Sequence, residues 1–152
     1  MDVNDIRIQS EDFSFVELFN ALKSEDASCG AIVTFTGIVR EHVATGVEKL
    51  YLEHYPGMTE KALEHIVEKA RARWALGAIT IIHRVGELSL NENIVFVGVS
   101  SAHRASAFEA AQYLMDYLKK DAPFWKKEMG QKGDVWVEQK ESDLAAANRW
   151  HD

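Results

Sequence analysis

Two long stretches with helical spacing, separated by β-branched apolar runs, limit most strongly how this chain can fold. Residues 56–74 (PGMTEKALEHIVEKARARW) place their apolar side chains on one helical stripe, after Thr59 as the predicted N-cap. A second helix follows Ser101, its predicted N-cap, with a buried face expected to comprise Ala107, Phe108, Ala111, Leu114, Met115 and Leu118. Each apolar stripe must pack against another apolar surface. The β-branched runs between and around the two helices can provide that surface.

The runs around these helices have the composition of strands. Residues 30–39 (GAIVTFTGIV), 78–88 (AITIIHRVGEL) and 93–100 (NIVFVGVS) are β-branched and apolar, whereas 47–55 alternates like a half-exposed strand. Residues 13–23 repeat at helical spacing, 40–48 are typical of a flexible loop, 133–140 predict a last strand, and 141–150 a polar or helical tail. The order predicts an α+β protein, a single domain over residues 1–152, with helices on a largely antiparallel sheet.

Charge and composition exclude several classes of protein. The formal net charge of -7 argues against binding nucleic acid over an extended basic surface, so any anion site must be local. The N-terminus lacks a basic start followed by an apolar run, and no segment approaches the roughly 20 apolar residues of a membrane helix, so we expect a cytoplasmic protein. One cysteine, Cys29, excludes an internal disulfide.

The local anion site has two candidate parts. Residues 100–104 follow a strand and begin a helix, where free backbone N–H groups and the helix dipole favour an anion, and His103 and Arg104 would add directional donors. The alternative is that His103 packs half-buried and Arg104 is solvated. Arg40, at the end of the first strand, is on its own typical of a surface charge.

Four lysines form the second part. Lys119 and Lys120 end the second helix, where the dipole favours positive charge in any protein. Lys126 and Lys127 follow a proline and two aromatic residues, and partial burial there would favour a neutral, nucleophilic amine. The histidines show no metal-ligand spacing, so no metal site and no cofactor is predicted; His54 and His83 are interpreted as strand residues with satisfied partners.

Five motifs, taken together, resemble the MoaE family, the catalytic (large) subunits of molybdopterin synthase. They are TFTGIVR (34–40), LEHYPGMTEKAL (52–63), IIHRVGEL (81–88), VFVGVSSAHRASAFEAAQYLMDYLK (95–119) and APFWKKE (122–128), in the family's order and spacing from about residue 30 to residue 143. The resemblance implies an α/β-hammerhead-type domain with a small added subdomain. It also implies an enzyme that converts cyclic pyranopterin monophosphate (precursor Z) to molybdopterin, adding two dithiolene sulfurs during molybdenum cofactor biosynthesis.

The resemblance also implies partners and site residues. The sulfur would arrive as a thiocarboxylate on the C-terminal Gly-Gly of a small ubiquitin-like subunit, bound at each end of a homodimer to give a heterotetramer. Its catalytic lysines fall on Lys119 and Lys126, which could act as acid and base, orient the tail or stabilise an oxyanion. Its substrate-binding residues fall on both lysines and on Ile38, Val39, Arg40, His103, Arg104, Lys127 and Glu128. Some relatives carry Lys in place of Ile38, which leaves a backbone contact as the role at that position.

Helix length then predicts that the site is shared between two chains. Arg104 and Lys119 are 15 residues apart on one predicted helix, which separates their backbones by about 22 Å. A pterin phosphate is on the order of 10 Å long. If both residues serve one substrate, the first must come from the neighbouring subunit of a two-fold dimer.

Two other functions compete with the sulfurtransferase at this point. One is a non-enzymatic α+β module in which His103 and Arg104 bind an anionic metabolite and the lysines are solvated. The other, an RNA-binding domain, would need a basic sheet face with exposed aromatic residues, and the acidic balance counts against it.

We predict that Cys29 does not carry sulfur during turnover. It precedes an apolar strand and has neither a resolving cysteine nor an activating histidine nearby in sequence, so the expected role is that of a small, partly buried hydrophobe. Cys29→Ser should leave turnover within about a few-fold of the wild type, measured with the thiocarboxylated partner. Loss of turnover with the fold and partner binding intact would contradict this prediction.

Overall fold

A computed structural model describes residues 3–23, 27–41, 46–130, 133–137 and 141–150, without the side chains of 47, 141 and 142. The helices are α1 (Phe15–Lys23), α2 (Met58–Arg73), α3 (Arg104–Asp121) and α4 (Glu141–Asn148). The strands are β1 (Asn4–Gln9), β2 (Ala31–Ile38), β3 (Val47–His54), β4 (Leu76–Arg84), β5 (Gly86–Ser89), β6 (Asn93–Ser101), β7 (Phe124–Gly130) and β8 (Gly133–Val137). No helix in these ranges is long and apolar enough to cross a membrane.

The strands form two four-stranded sheets. The first has the order β1-β4-β6-β2, with β1 parallel to β4 and the other pairs antiparallel. The second has the order β5-β3-β7-β8 and is antiparallel throughout. Helices packed on largely antiparallel sheets confirm the predicted α+β class.

The first sheet is buried on both faces. Alternate residues of β4 and β6, among them Ile79, Ile81 and Val97, pack against α2 and α3, whereas Ile82 and Phe96 point the other way and pack against α1. This alternation follows from the period of two in a strand. Double burial explains why these two strands are continuous apolar runs in the sequence.

The second sheet packs through a smaller apolar cluster made by Val39, Leu50, Leu52 and Leu88, against which Ile94 of β6 packs. The predicted strand 78–88 is therefore two strands, since β4 ends at Arg84 and β5 begins at Gly86. Gly86 has φ of 92°, a conformation that favours glycine and lets the chain leave one sheet for the other.

Two strands were missed by the sequence analysis. β1 is only six residues long, and its two apolar residues, Ile6 and Ile8, alternate with Asp5 and Arg7, which form an exposed ion pair of 3.0 Å. β7 reads FWKKEMG and has no apolar alternation, yet it pairs with β3 over most of its length. By contrast, the tail was open to a helical interpretation, and α4 confirms it. Residues 42–45 of the predicted loop and 138–140 of the predicted last strand lie outside the described residues.

Both predicted N-caps are wrong. Helix α2 is capped by Gly57, and Thr59 is buried in its first turn, where its hydroxyl donates to the carbonyl of Tyr55 at 2.9 Å. Helix α3 is capped by His103, because β6 continues through Ser101, whose hydroxyl donates to the carbonyl of Ala75 at 3.0 Å. In each case the hydroxyl donates its hydrogen bond to a main-chain carbonyl and does not cap the helix.

The predicted buried face of α3 is confirmed at Ala107, Ala111, Leu114 and Leu118, is only partly buried at Met115, and is wrong at Phe108. Its side chain is 62% exposed, whereas Tyr113 and Asp116, which were not predicted, are buried. Asp116 accepts a hydrogen bond of 2.6 Å from the indole of Trp150, so the residues after α4 cover this part of the helix. The buried face of α3 therefore includes the side that contacts the C-terminal tail, and Phe108 lies on the exposed face of the helix.

Candidate active site

A cavity of about 330 Å³ lies where the two sheets meet the C-terminal end of α3. Its polar lining consists of His83, Arg40, Lys119, Lys126 and Glu128. Its apolar lining consists of Phe35, Ile38, Leu50, Ile94, Val95, Met115 and Leu118. Five of the residues predicted for the site, namely Ile38, Arg40, Lys119, Lys126 and Glu128, are therefore brought together by the fold.

Strand alternation decides which residues of β7 reach this cavity. Lys126 pairs with Leu52 and Glu128 with Leu50, on the face of the second sheet that is turned inward. Lys127, between them, points to the opposite face. There its ammonium lies 5.4 Å from the ring centroid of Tyr51 and 5.3 Å from that of Trp136. The structure does not bring Lys127 into the cavity.

Helical phase makes the same distinction between the two lysines of α3. Leu118 is buried and Lys119 lines the cavity beside it. Lys120 is turned away, with its ammonium 5.6 Å from the ring of Tyr117. Both lysines lie in the last helical turn, where positive charge is favourable, so the dipole alone cannot distinguish them.

The segment after β2 is held from both sides. Val39 is fully buried, its N–H donates to the carbonyl of Glu92 at 2.9 Å, and its carbonyl accepts from Asn91 at 2.8 Å. Its side chain and both main-chain polar groups are thus engaged within the protein. Ile38 and Arg40, on either side, line the cavity. Val39 does not line the cavity. Its burial and its main-chain hydrogen bonds hold Ile38 and Arg40 in position.

His103 and Arg104 lie at the other end of α3. Both are exposed, at the N-cap and first residue of the helix, and neither lines the cavity. The helix runs unbroken to Asp121, so the separation of about 22 Å from Lys119 stands. Within one chain the two groups of cations do not meet.

Among the polar residues that line the cavity, His83 is the one that the sequence did not suggest as a site residue. It lies in β4, is 6% exposed, and its ring stacks on Phe124 with 3.8 Å between ring centroids. Its Nδ1 lies 2.8 Å from the carbonyl oxygen of Arg84. The pKa of His83 is lowered to about 4, mainly by burial and in smaller part by the charges of Lys119 and His54, while the hydrogen bond to Arg84 opposes the shift. The ring is neutral near pH 7.

The prediction of satisfied histidines holds for Nδ1 of His83 but is wrong for His54. Within the described residues, the buried Nδ1 of His54 makes no hydrogen bond, and its nearest carboxylate oxygen, on Glu60, is 3.7 Å away. Cys29 is partly buried, as predicted, and lines a different cavity between α1 and β2. Cys29 does not line the cavity that holds Lys119 and Lys126.

Taken together, the fold and this cavity define an α+β protein with a pocket lined by apolar side chains, three cations and one carboxylate. The cations can attract an anionic group, and the apolar side chains can accommodate a flat or uncharged part of the same ligand. His83 adds a neutral polar group to the lining.

Comparison with known proteins places the chain within a family. The MoaE protein family model matches residues 8–121. The molybdopterin synthase catalytic subunit of Escherichia coli (strain K12) is 58% identical over 146 residues, which is 95% of this chain and 97% of that protein. The molybdopterin biosynthesis MoaE protein from Burkholderia ambifaria MC40-6 superposes with a TM-score of 0.82 at 44% identity, covering 99% of this chain and 98% of that one.

A more distant structure shares the fold. It is the complex of subunits 1 and 2 of molybdopterin-converting factor from Helicobacter pylori 26695, with a TM-score of 0.72 at 19% identity, covering 90% of this chain and 91% of that one. The chain belongs to the MoaE family of molybdopterin synthase catalytic subunits. Of the functions that the sequence left open, the family supports the enzyme of molybdenum cofactor biosynthesis and not the non-enzymatic module.

The buried imidazole predicts a loss of stability in mild acid. Because the pKa of His83 is about 4 in the folded chain and near 6.5 when unfolded, the unfolded state binds the proton first as pH falls from 6.5 to 4. Between pH 7 and pH 5 this group alone should lower the free energy of unfolding by about 2 kcal/mol. Asp12, whose pKa is lowered from 3.8, contributes only below this window.

Urea unfolding at the two pH values measures this effect. His83→Gln should remove most of the difference, whereas His65→Gln, on the exposed side of α2, should keep it. An equal pH dependence in wild type and His83→Gln would show that His83 is not the group responsible.

Proposed function

We propose that this chain is a sulfurtransferase that converts cyclic pyranopterin monophosphate (precursor Z) to molybdopterin. The dithiolene sulfurs come from the thiocarboxylated C-terminus of a small ubiquitin-like subunit. The observation that carries the proposal is the convergence of Arg40, Lys119 and Lys126 on one cavity from three separate elements of the chain. Family membership supports the assigned reaction, and the convergence of the three cations supports this cavity as the active site.

The mixed lining of the cavity suits the two chemical parts of the proposed substrate. The phosphate and the pterin oxygens need cationic donors, and Arg40 supplies them. The fused rings are flat and only partly polar, and they fit against apolar side chains of the lining such as Phe35 and Met115.

Lys119 and Lys126 act where the thiocarboxylate meets the pterin side chain. When the acyl carbon of the tail becomes tetrahedral, its oxygen gains negative charge, and ammonium groups already in place stabilise that charge without reorganisation. Their second role is the transfer of protons to or from the reacting groups. Glu128 lies on the same face of β7 as Lys126 and also lines the cavity. Its negative charge offsets part of the electrostatic repulsion between the two lysines.

The partner is a small subunit whose C-terminal Gly-Gly enters the cavity. The related structure from Helicobacter pylori is a complex of two subunits, which supports a two-component enzyme. A tail of two glycines has no side chains, so it can approach Lys119 and Lys126 closely. No cofactor is needed in this scheme, because the sulfur arrives on the partner.

His103 and Arg104 complete the site from a second copy of the chain. They are too far along α3 to reach the cavity of their own subunit, at about 22 Å from Lys119. Phe108, one helical turn after Arg104, exposes 62% of its aromatic side chain on that end of the helix. An exposed aromatic residue beside the cations is typical of an interface, and a two-fold homodimer would exchange the helix ends.

The first test of this function is turnover by lysine variants with pterin substrate and thiocarboxylated partner. Lys119→Ala and Lys126→Ala should each fold and bind the small subunit but lose most of their turnover. Lys120→Ala is the matched control and should be mild, because its side chain lies over Tyr117, outside the cavity. Near-normal rates in Lys126→Ala would refute the assignment, and Lys→Arg should not restore the rate if a proton is transferred.

The second test is complementation between subunits. Arg104→Ala and Lys126→Ala chains, each inactive alone, are mixed under conditions that allow exchange. Each mixed dimer then contains one fully wild-type site, so activity should return to about a quarter of the wild-type value for random mixing. If mixed dimers form and no activity returns, the two cation groups serve different ligands.

A further inference from the structure

The imidazole of His83 contacts one of the two elements that carry the proposed catalytic lysines and lies within the electrostatic influence of the other. Its ring stacks on Phe124, the first residue of β7, and Lys126 is two residues further along that strand. The charge of Lys119, at the end of α3, is one of the causes that lower the pKa of the ring. The ring lines the same cavity as both lysines although it is almost fully buried. His83 is therefore held at the junction of the site by packing.

The hydrogen bond of the ring fixes its tautomer. Nδ1 lies 2.8 Å from the carbonyl oxygen of Arg84, and a carbonyl only accepts, so Nδ1 must carry the hydrogen. Nε2 is then left with its lone pair. Within the described residues this bond from Nδ1 is the hydrogen bond of the ring, so Nε2 is the ring atom that remains for a partner in the cavity.

A neutral acceptor beside an ammonium group has a definite use. An ammonium has three donors and no acceptor, and it sits on a flexible four-carbon stem. A rigid nitrogen lone pair can hold one of those donors and so aim the other two. Burial makes the ring resist protonation, so it accepts the hydrogen bond and leaves the proton, and the positive charge, on the lysine. A carboxylate in the same place would instead neutralise part of that charge.

We propose that His83 is a positioning residue of the sulfur transfer, whose Nε2 accepts a hydrogen bond from the ammonium of Lys119 and aims it at the reacting carbonyl. This inference rests on the proposed function, since it assigns to Lys119 a role in that reaction. His83 itself touches no reacting atom, and it is distinct from the cations that hold the substrate, such as Arg40.

Three substitutions separate positioning from packing. In His83→Gln the side-chain amide reaches the place of Nε2 and keeps an acceptor there, whereas in His83→Asn it reaches only the place of Nδ1. His83→Phe keeps the stack on Phe124 and loses both nitrogens. With the thiocarboxylated partner, Asn and Phe should lower kcat roughly tenfold or more with KM for the pterin nearly unchanged, and Gln should stay within about a few-fold of wild type.

The outcomes are distinct. If wild type itself shows no turnover, the proposed function fails; if wild type is active and His83→Asn matches it, only the role of His83 fails. Equal loss in Gln and Asn variants that unfold at the same urea concentration would likewise overturn the role, because a purely structural residue predicts it.

A measurement without turnover tests the same contact in the intact chain. The ¹⁵N resonances of the His83 ring, assigned by their absence in His83→Gln, should show hydrogen on Nδ1 and a lone pair on Nε2 near pH 7. Lys119→Ala should move the Nε2 resonance and leave Nδ1 nearly in place, whereas Lys120→Ala should move neither. Hydrogen on Nε2, or an Nε2 resonance that ignores Lys119→Ala, overturns the proposal.

Discussion

The pairing of β3 with β7 is the interaction on which the site depends. Leu52 pairs with Lys126 and Leu50 with Glu128, and the two leucines are almost fully buried against the first sheet. A strand pairing that slipped by one residue would turn Lys126 outward and Lys127 inward, and it would do so for every residue of the strand at once. Burial of the two leucines, worth about 1.5–3 kcal/mol each, therefore fixes which lysine faces the cavity.

The packing of the main core positions the other proposed catalytic lysine, Lys119 of α3. β4 and β6 are buried between α2 and α3 on one face and α1 on the other, so α3 cannot rotate without disturbing the packing of Leu114 and Leu118. That packing sets the phase that brings Lys119 to the cavity and leaves Lys120 over Tyr117. Two rules of regular structure, the period of 3.6 in the helix and of two in the strand, thus select one lysine from each pair.

The sequence predicts most of this fold because its strongest periods lie in its most buried elements. α2, α3, β4 and β6 are recognisable, since burial on one face or on both leaves a clear apolar pattern. β1 and β7 are not. β1 has only two apolar residues, Ile6 and Ile8, which alternate with charged ones, and β7 carries charged residues on both faces. Hydrogen bonding to a neighbouring strand supplies what the pattern lacks. The N-caps failed for a related reason, since a hydroxyl can bond to any nearby carbonyl and the sequence does not say which one.

The candidate site divides in the same way. The lysines and arginines belong to motifs that resemble a family, so the sequence can suggest them as site residues. It cannot say which way their side chains point. Lys127 and Val39 are adjacent in sequence to residues that line the cavity, yet neither lines it. His83 is hidden for the opposite reason, because a single histidine inside an apolar strand has no spacing to recognise. Its place in the cavity is set by contacts that the spacing of the sequence does not reveal, with the ring of Phe124 and with the carbonyl of Arg84. A neutral imidazole fixed in a cavity lined by cations is a feature that only packing can create, since burial is what keeps the ring neutral.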